Sequence, residues 1–130
     1  MRTTIFSIAL AMGLPFSAAA DPAMECSVAN ASQIEIGNCV QLAEDITNAA
    51  IKSALDFARQ AAQELDSVTG RKASLPALSA SQTSWESYRN QHCEFVGATF
   101  AGGSGTGIAI KSCRVSLGRQ RIDELMKYSQ

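Results

Sequence analysis

Few of the usual instruments of chemistry occur in this chain. It has one histidine, one tryptophan and three prolines, and its charges nearly cancel, with 11 Lys and Arg against 12 Asp and Glu. That balance excludes the basic footprint that nucleic acid or anionic lipid requires. After the first twenty residues no run is apolar enough to serve as a membrane anchor. Strand-like alternation of useful length and internal repeats are also missing, which argues against a β-sheet class and a repeat architecture. No two cysteines stand at the close spacing of a zinc site, and two of the four methionines fall in the opening twenty residues, leaving too few for a copper site. The acids Glu44, Asp45, Asp56, Glu64 and Asp66 are spread along one segment among Lys52 and Arg59. That reads as a solvated helix face, unlike the paired carboxylates of glycoside cleavage. No cofactor is expected, and nothing in the pattern sets an oligomeric state.

The first twenty residues have the form of a signal peptide: Arg2, the apolar run Ile5 to Phe16 interrupted by Gly13 and Pro15, then small residues. Ala18 and Ala20 place cleavage after Ala20. The residues before Cys26 lack the small-residue context of a lipid-modified cysteine, so an exported, unanchored protein is expected. Its single domain would span 21–130. Without Arg2, ten basic residues face twelve acidic ones, a net charge of −2. At that length about two thirds of the unfolded surface can be buried, a thin margin for a core alone. Cys26, Cys39, Cys93 and Cys113 all lie in the exported part, and an even count in an oxidising compartment predicts two disulfides.

Three helices are legible. Ser32 to Glu35 forms a capping box, and an apolar stripe follows through Ile36, Val40, Ala43, Ala50, Ala54, Phe57, Ala61 and Leu65. Thr47 and Asn48 interrupt the stripe, and Gly70 stops the helix. Residues 33–68 as one helix would be about 54 Å long, wider than a globule of this size, so a bend near Thr47 and Asn48 or a free overhang is expected. Ser67 to Pro76 reads as a polar connector. Ser79 with Gln82 forms a second capping box, and Leu78, Trp85, Tyr88, His92 and Phe95 recur at helical spacing. The glycine-rich stretch 100–107 ends that helix, and a third pattern runs through Ile110, Cys113, Leu117, Arg121 and Leu125. The fold class is therefore all-α, a three-helix antiparallel bundle braced by two disulfides.

Four cysteines allow three pairings, and helical geometry selects among them. Cys93 and Cys113 lie about equally far from the glycine turn, whereas Cys39 and Cys93 would be mismatched by about 20 Å along the helix axes. The expected bonds are Cys26 to Cys39 and Cys93 to Cys113.

The stretch Ser81 to Cys93 gathers the only Trp and the only His, but it gives no reaction centre. Helical neighbours of His92 are Tyr88, Arg89, Phe95 and Val96, none of them a nucleophile or an orienting carboxylate. Trp85, Arg89 and Cys93 follow at four-residue steps along one ridge. The simplest reading has Trp85 as a core anchor and Arg89 held by a carboxylate of the first helix. The loop at 100–107 superficially matches a phosphate-binding turn, yet Ile110 precedes Lys111 and Ser112 where the nucleotide motif needs glycine. A flexible interhelical loop remains, a place where binding proteins often put their contact surface.

Taken together, the chain resembles the lysozyme inhibitor LprI-like domain family of small exported bacterial domains. The pattern Q-x-x-W-x-x-[YF]-R-x-x-x-C is met by Gln82, Trp85, Tyr88, Arg89 and Cys93, and a Gly-Gly-Ser loop by Gly102, Gly103 and Ser104. C-x7-R-x3-L is met by Cys113, Arg121 and Leu125, and an upstream cysteine pair by Cys26 and Cys39. The first long helix departs from the family's A-D-x-x-L-N-x-x-Y, carrying Thr47, Asn48, Ile51, Lys52 and Leu55 instead. An arginine pairing made through that Asp would be lost. The resemblance implies an all-α, non-enzymatic binding domain whose partner is a protein, a lysozyme in the first instance. The alternative within an exported helical domain is an immunity or envelope-interaction protein neutralising a toxin aimed at the cell wall.

Overall fold

A computed structural model describes residues 21–129; the expected leader at 1–20, with its cleavage point, lies outside the described residues. The described chain is helical throughout its regular structure: α1 Pro22–Ala29, α2 Gln33–Thr69, α3 Ser74–Ala98 and α4 Thr106–Met126. The expected count of three is therefore corrected to four. The extra helix starts as local chemistry demands. Asp21 accepts from the amides of Ala23 and Met24 at 2.8 and 3.3 Å, and Pro22 fills a first-turn position whose amide would have no partner anyway.

The capping box of α2 forms as read: Glu35 N donates to Ser32 Oγ at 3.2 Å, and Ser32 N donates to Glu35 Oε2 at 3.0 Å. Beyond it the helix runs without a break through Thr47 and Asn48 to Thr69. Thr47 is buried, its hydroxyl donating to the carbonyl of Ala43 at 2.7 Å. The buried face is Val40, Glu44, Thr47, Ile51, Ala54, Leu55 and Ala58, so Thr47 is part of the packed stripe, while Asn48, Phe57 and Leu65 are exposed.

No overhang is left free at the far end, because α3 is tied to it. Asp66 accepts from the amides of Ala73 and Ser74 through Oδ1 at 3.2 and 2.8 Å, and from that of Leu75 through Oδ2 at 3.0 Å. Pro76, next in line, has no amide to satisfy. All the open donors of the α3 first turn are thus answered by one carboxylate of α2. The second capping box, at Ser79 and Gln82, does not form: both residues lie inside α3, and its N-cap Ala73 has no side-chain group that can cap. The connector shrinks accordingly to 70–73.

Chain order and cross-contacts define the bundle. Glu44 with Arg114, Thr47 with Gly118 and Ala58 with Leu125 rise together along both chains, so α2 and α4 run parallel. Gly97 with Ile110, Cys93 with Cys113 and Gln82 with Arg121 run oppositely, so α3 and α4 are antiparallel. Small side chains let α4 come close: Ala109, Ser112, Val115 and Gly118 are its buried ridge. α2 and α4 each pack against all three other helices, whereas the backbones of α1 and α3 stay apart. Around Ala54, Leu55, Ala58 and Leu125, with Leu78 and Ile122 at the margin, lies the apolar core of the far half.

Both predicted disulfides are present, Cys26 to Cys39 and Cys93 to Cys113, and no free cysteine remains among the described residues. One bond ties α1 to α2, the other α3 to α4. α1 is held further by Arg119, which donates to both carboxylate oxygens of Glu25 at 2.8 and 3.0 Å. Ser112 Oγ completes the attachment, donating to Asp21 Oδ1 at 2.8 Å and accepting from the amide of Ala23 at 3.1 Å.

Candidate interaction surface

The α3 residues singled out in the sequence divide between the bundle seam and the solvent. Gln82 is buried, accepting from Arg121 Nε at 3.0 Å and donating to Glu86 at 3.0 Å. Arg121 also reaches Ser81 Oγ and Glu124, each at 3.1 Å. Its guanidinium lies 5.7 Å from the Trp85 ring centre, and that of Arg89 lies 5.4 Å from the same ring. Two cations on one indole form a seam between helices, each such contact contributing about 0.5–1 kcal/mol where partly exposed. Trp85 is half-buried here, so it is a bridge between helices more than a core anchor.

Arg89 is held differently from expectation. Its Nη2 donates to Asn48 Oδ1 at 2.9 Å and its Nε to the carbonyl of Arg114 at 3.0 Å. No carboxylate takes it directly; the Asn48 side-chain amide supplies the acceptor, so an interhelical pairing of Arg89 with α2 is made. Burial pulls the guanidinium below its ordinary pKa, with Glu44 opposing that shift through its charge. Asn48, Lys52, Gln82, Trp85, Glu86 and Arg89 help line an open groove of about 390 Å³ between α2 and α3.

Of the acids assigned to a solvated face, two have other roles. Asp66 is the cap just described, and three amide donors hold its carboxyl below the usual range, Leu75 foremost and then Ser74. Glu44 is only 8% exposed and faces Arg114 Nη1 at 3.6 Å, while Arg114 Nη2 meets Glu94 at 3.0 Å.

Tyr88 and His92 stack with ring centres 5.3 Å apart, and Phe95 tilts against His92 at 6.3 Å. Aromatic rings are thus the partners of this histidine, as the helical spacing implied. Leu125, the last residue of the motif, is in the core. Gly102, Gly103 and Ser104 are exposed at the tip of the α3–α4 connection. Ala101 and Gly102 take positive φ values of 51° and 77° there, and the Gly103 amide donates back to the Phe100 carbonyl at 3.0 Å. This is a built turn, held at its base by the close seat of Gly97 against Ile110 and, about one helical turn further down the same stem, by the Cys93–Cys113 bond.

No group of three or more His, Cys, Asp or Glu among the described residues could hold a metal ion, and no described helix is long and apolar enough to cross a membrane. Fold and surface together define a disulfide-braced helical bundle with a firm turn at one end and a hydrogen-bonded seam of Trp, Arg and Gln beside an open groove. The family model described as lysozyme inhibitor LprI matches residues 23–125, and the chain belongs to that family. Neither the curated proteins nor the solved structures contain a match to it.

Proposed function

We propose that this protein acts after export, in the bacterial periplasm or beyond, by binding a lysozyme and blocking it, with no catalysis of its own. On this reading residues 1–20 are a leader removed after Ala20, and 21–130 form the working domain. The family match across 23–125 is the observation that carries it. Two further features support it: the pair of disulfides suits an oxidising compartment, and the turn bearing Gly102, Gly103 and Ser104 is exposed on a braced scaffold. A preformed turn loses little freedom on docking, so more of its contact energy appears as affinity. Purified, oxidised protein of residues 21–130 is titrated into a turbidity assay with several lysozyme types. Inhibition of at least one is expected; none at tens of micromolar would remove the proposal.

A further inference from the structure

We infer that the outer face of α3, together with the turn after it, is the surface that enters the sugar-binding cleft of the lysozyme, occupying it in place of the neutral glycan. This rests on the reading above and adds to it which surface acts and what it displaces.

Ser84, Tyr88, Gln91 and Phe95 follow at steps of four, three and four, which places them on one ridge of α3, and all four are exposed. Tyr88 is 53% exposed, Phe95 65% and, beyond the helix end, Phe100 50%. Phe57 at 53% and Tyr128 at 74% are exposed elsewhere, and Phe100 turns toward Ala23, Ile36 and Ile108, so the ridge's own rings are Tyr88 and Phe95, two on one helix face. The ridge also lacks charge. No Asp, Glu, Lys or Arg lies on it, and none occurs in the sequence between Glu94 and Lys111. The outer side of α2, by contrast, exposes Asp45, Lys52, Asp56 and Arg59. Charge depletion with aromatic enrichment marks the centre of protein interfaces, and Tyr, Ser and Gly are the residues that binding loops favour.

Charge chooses the occupant. A glycoside-cleaving cleft holds two carboxyl groups flanking the bond it cuts. Such a cleft repels carboxylate, so the surface that enters it must keep its own acids off the contact or neutralised: the α3 ridge and its turn carry none, and the flanking exposed Glu94 is paired with Arg114 at 3.0 Å. What that surface does present is hydroxyls, a primary amide and apolar ring faces. A neutral N-acetylated sugar chain offers its cleft the same groups: hydroxyls, amides and apolar ring faces. The stacking of Tyr88 on His92 and the Cys93–Cys113 bond fix the ridge before it docks.

The test uses the oxidised protein and whichever lysozyme it inhibits. Binding is measured by calorimetry for wild type, Tyr88→Glu, Phe95→Glu and Gln91→Lys, with Ile46→Glu on the outer side of α2 as a control. Circular dichroism and a thermal melt establish that each variant is folded, and because all four sites are exposed, at least one ridge variant is expected to pass. A folded ridge variant should bind at least tenfold more weakly, Ile46→Glu within twofold of wild type, and soluble chitotriose should compete with the wild type. Ridge variants that bind within twofold of wild type, or binding indifferent to chitotriose, would overturn this inference while leaving the inhibitor reading intact. Wild type that binds no lysozyme would overturn both.

Discussion

Gly118 of α4 sits so close to Thr47 of α2 that a Cβ on the glycine would stand 2.5 Å from the Thr47 methyl and 3.1 Å from Ile51 Cδ1. The two longest-contacting helices therefore meet through backbone on one side and a small β-branched residue on the other. Gly118→Ala tests that contact. Helix propensity favours alanine by about 1 kcal/mol, whereas overpacking a well-filled site costs about 1–3 kcal/mol. The net expectation is a loss of about 1 kcal/mol in urea unfolding. Removing the opposing methyl with Thr47→Ser should recover part of it, a coupling that independent sites would not show.

The two disulfides should be comparable in global stability and different in local effect. Their sequence separations of 13 and 20 imply about 3 kcal/mol each by the chain-entropy model. Replacing Cys26 and Cys39 together by Ser should speed amide exchange in α1, and replacing Cys93 and Cys113 should speed it in the 99–105 turn. Peptide mapping of the unreduced protein checks the connectivity directly; a peptide joining Cys39 to Cys93 would contradict it.

Acid should loosen the α2–α3 corner. Three amides stabilise the ionised Asp66, so its pKa is depressed in the folded state from an ordinary value of 3.8. A depressed carboxyl contributes stability above the unfolded value and loses it as pH falls through the folded one. Asp66→Asn should therefore melt below wild type at pH 7, and the two melting curves should converge as pH is lowered through and beyond about 4. A constant gap across that range would contradict the cap.

Glu25 presents a smaller effect. The hydrogen bond from Arg119 is the main cause of its lowered pKa, and the pair is bidentate yet partly exposed, at 39% and 40% of side-chain surface. Such a pair is worth about 0–1 kcal/mol, and α1 stays covalently attached through Cys26. Glu25→Gln should leave global unfolding nearly unchanged and raise exchange within α1 alone.

Local patterns were readable where the answer is local. Ser32 and Glu35 are three residues apart and satisfy each other, so the α2 start could be read directly. Asp21, Pro22 and Glu25 carry the same kind of signal for α1, an N-cap, a first-turn proline and a first-turn acid, and this was the missed clue to a fourth helix. The α3 start was not readable, because its cap comes from Asp66 on another helix. Likewise Glu44 and Thr47 look like solvent-facing residues until Arg114 and Gly118 of α4 are brought against them. The motif residues were readable as a set, while their division into seam and surface depends on which face of α3 meets α4. Asn48 looked like a lost acid, and only the position of Arg89 shows that its amide oxygen accepts an interhelical hydrogen bond.

Every other helix leans on α4, yet α4 is the last of the four to be made. As the chain emerges, α1 can be stapled to α2 and α3 can fold back along it, but the ridge of small residues that fills the space between them has not arrived. The bundle is thus closed by its final segment, like a wedge driven in from the far end. An oxidised chain of residues 21–105 should accordingly be cut readily by protease, while residues 21–130 resist.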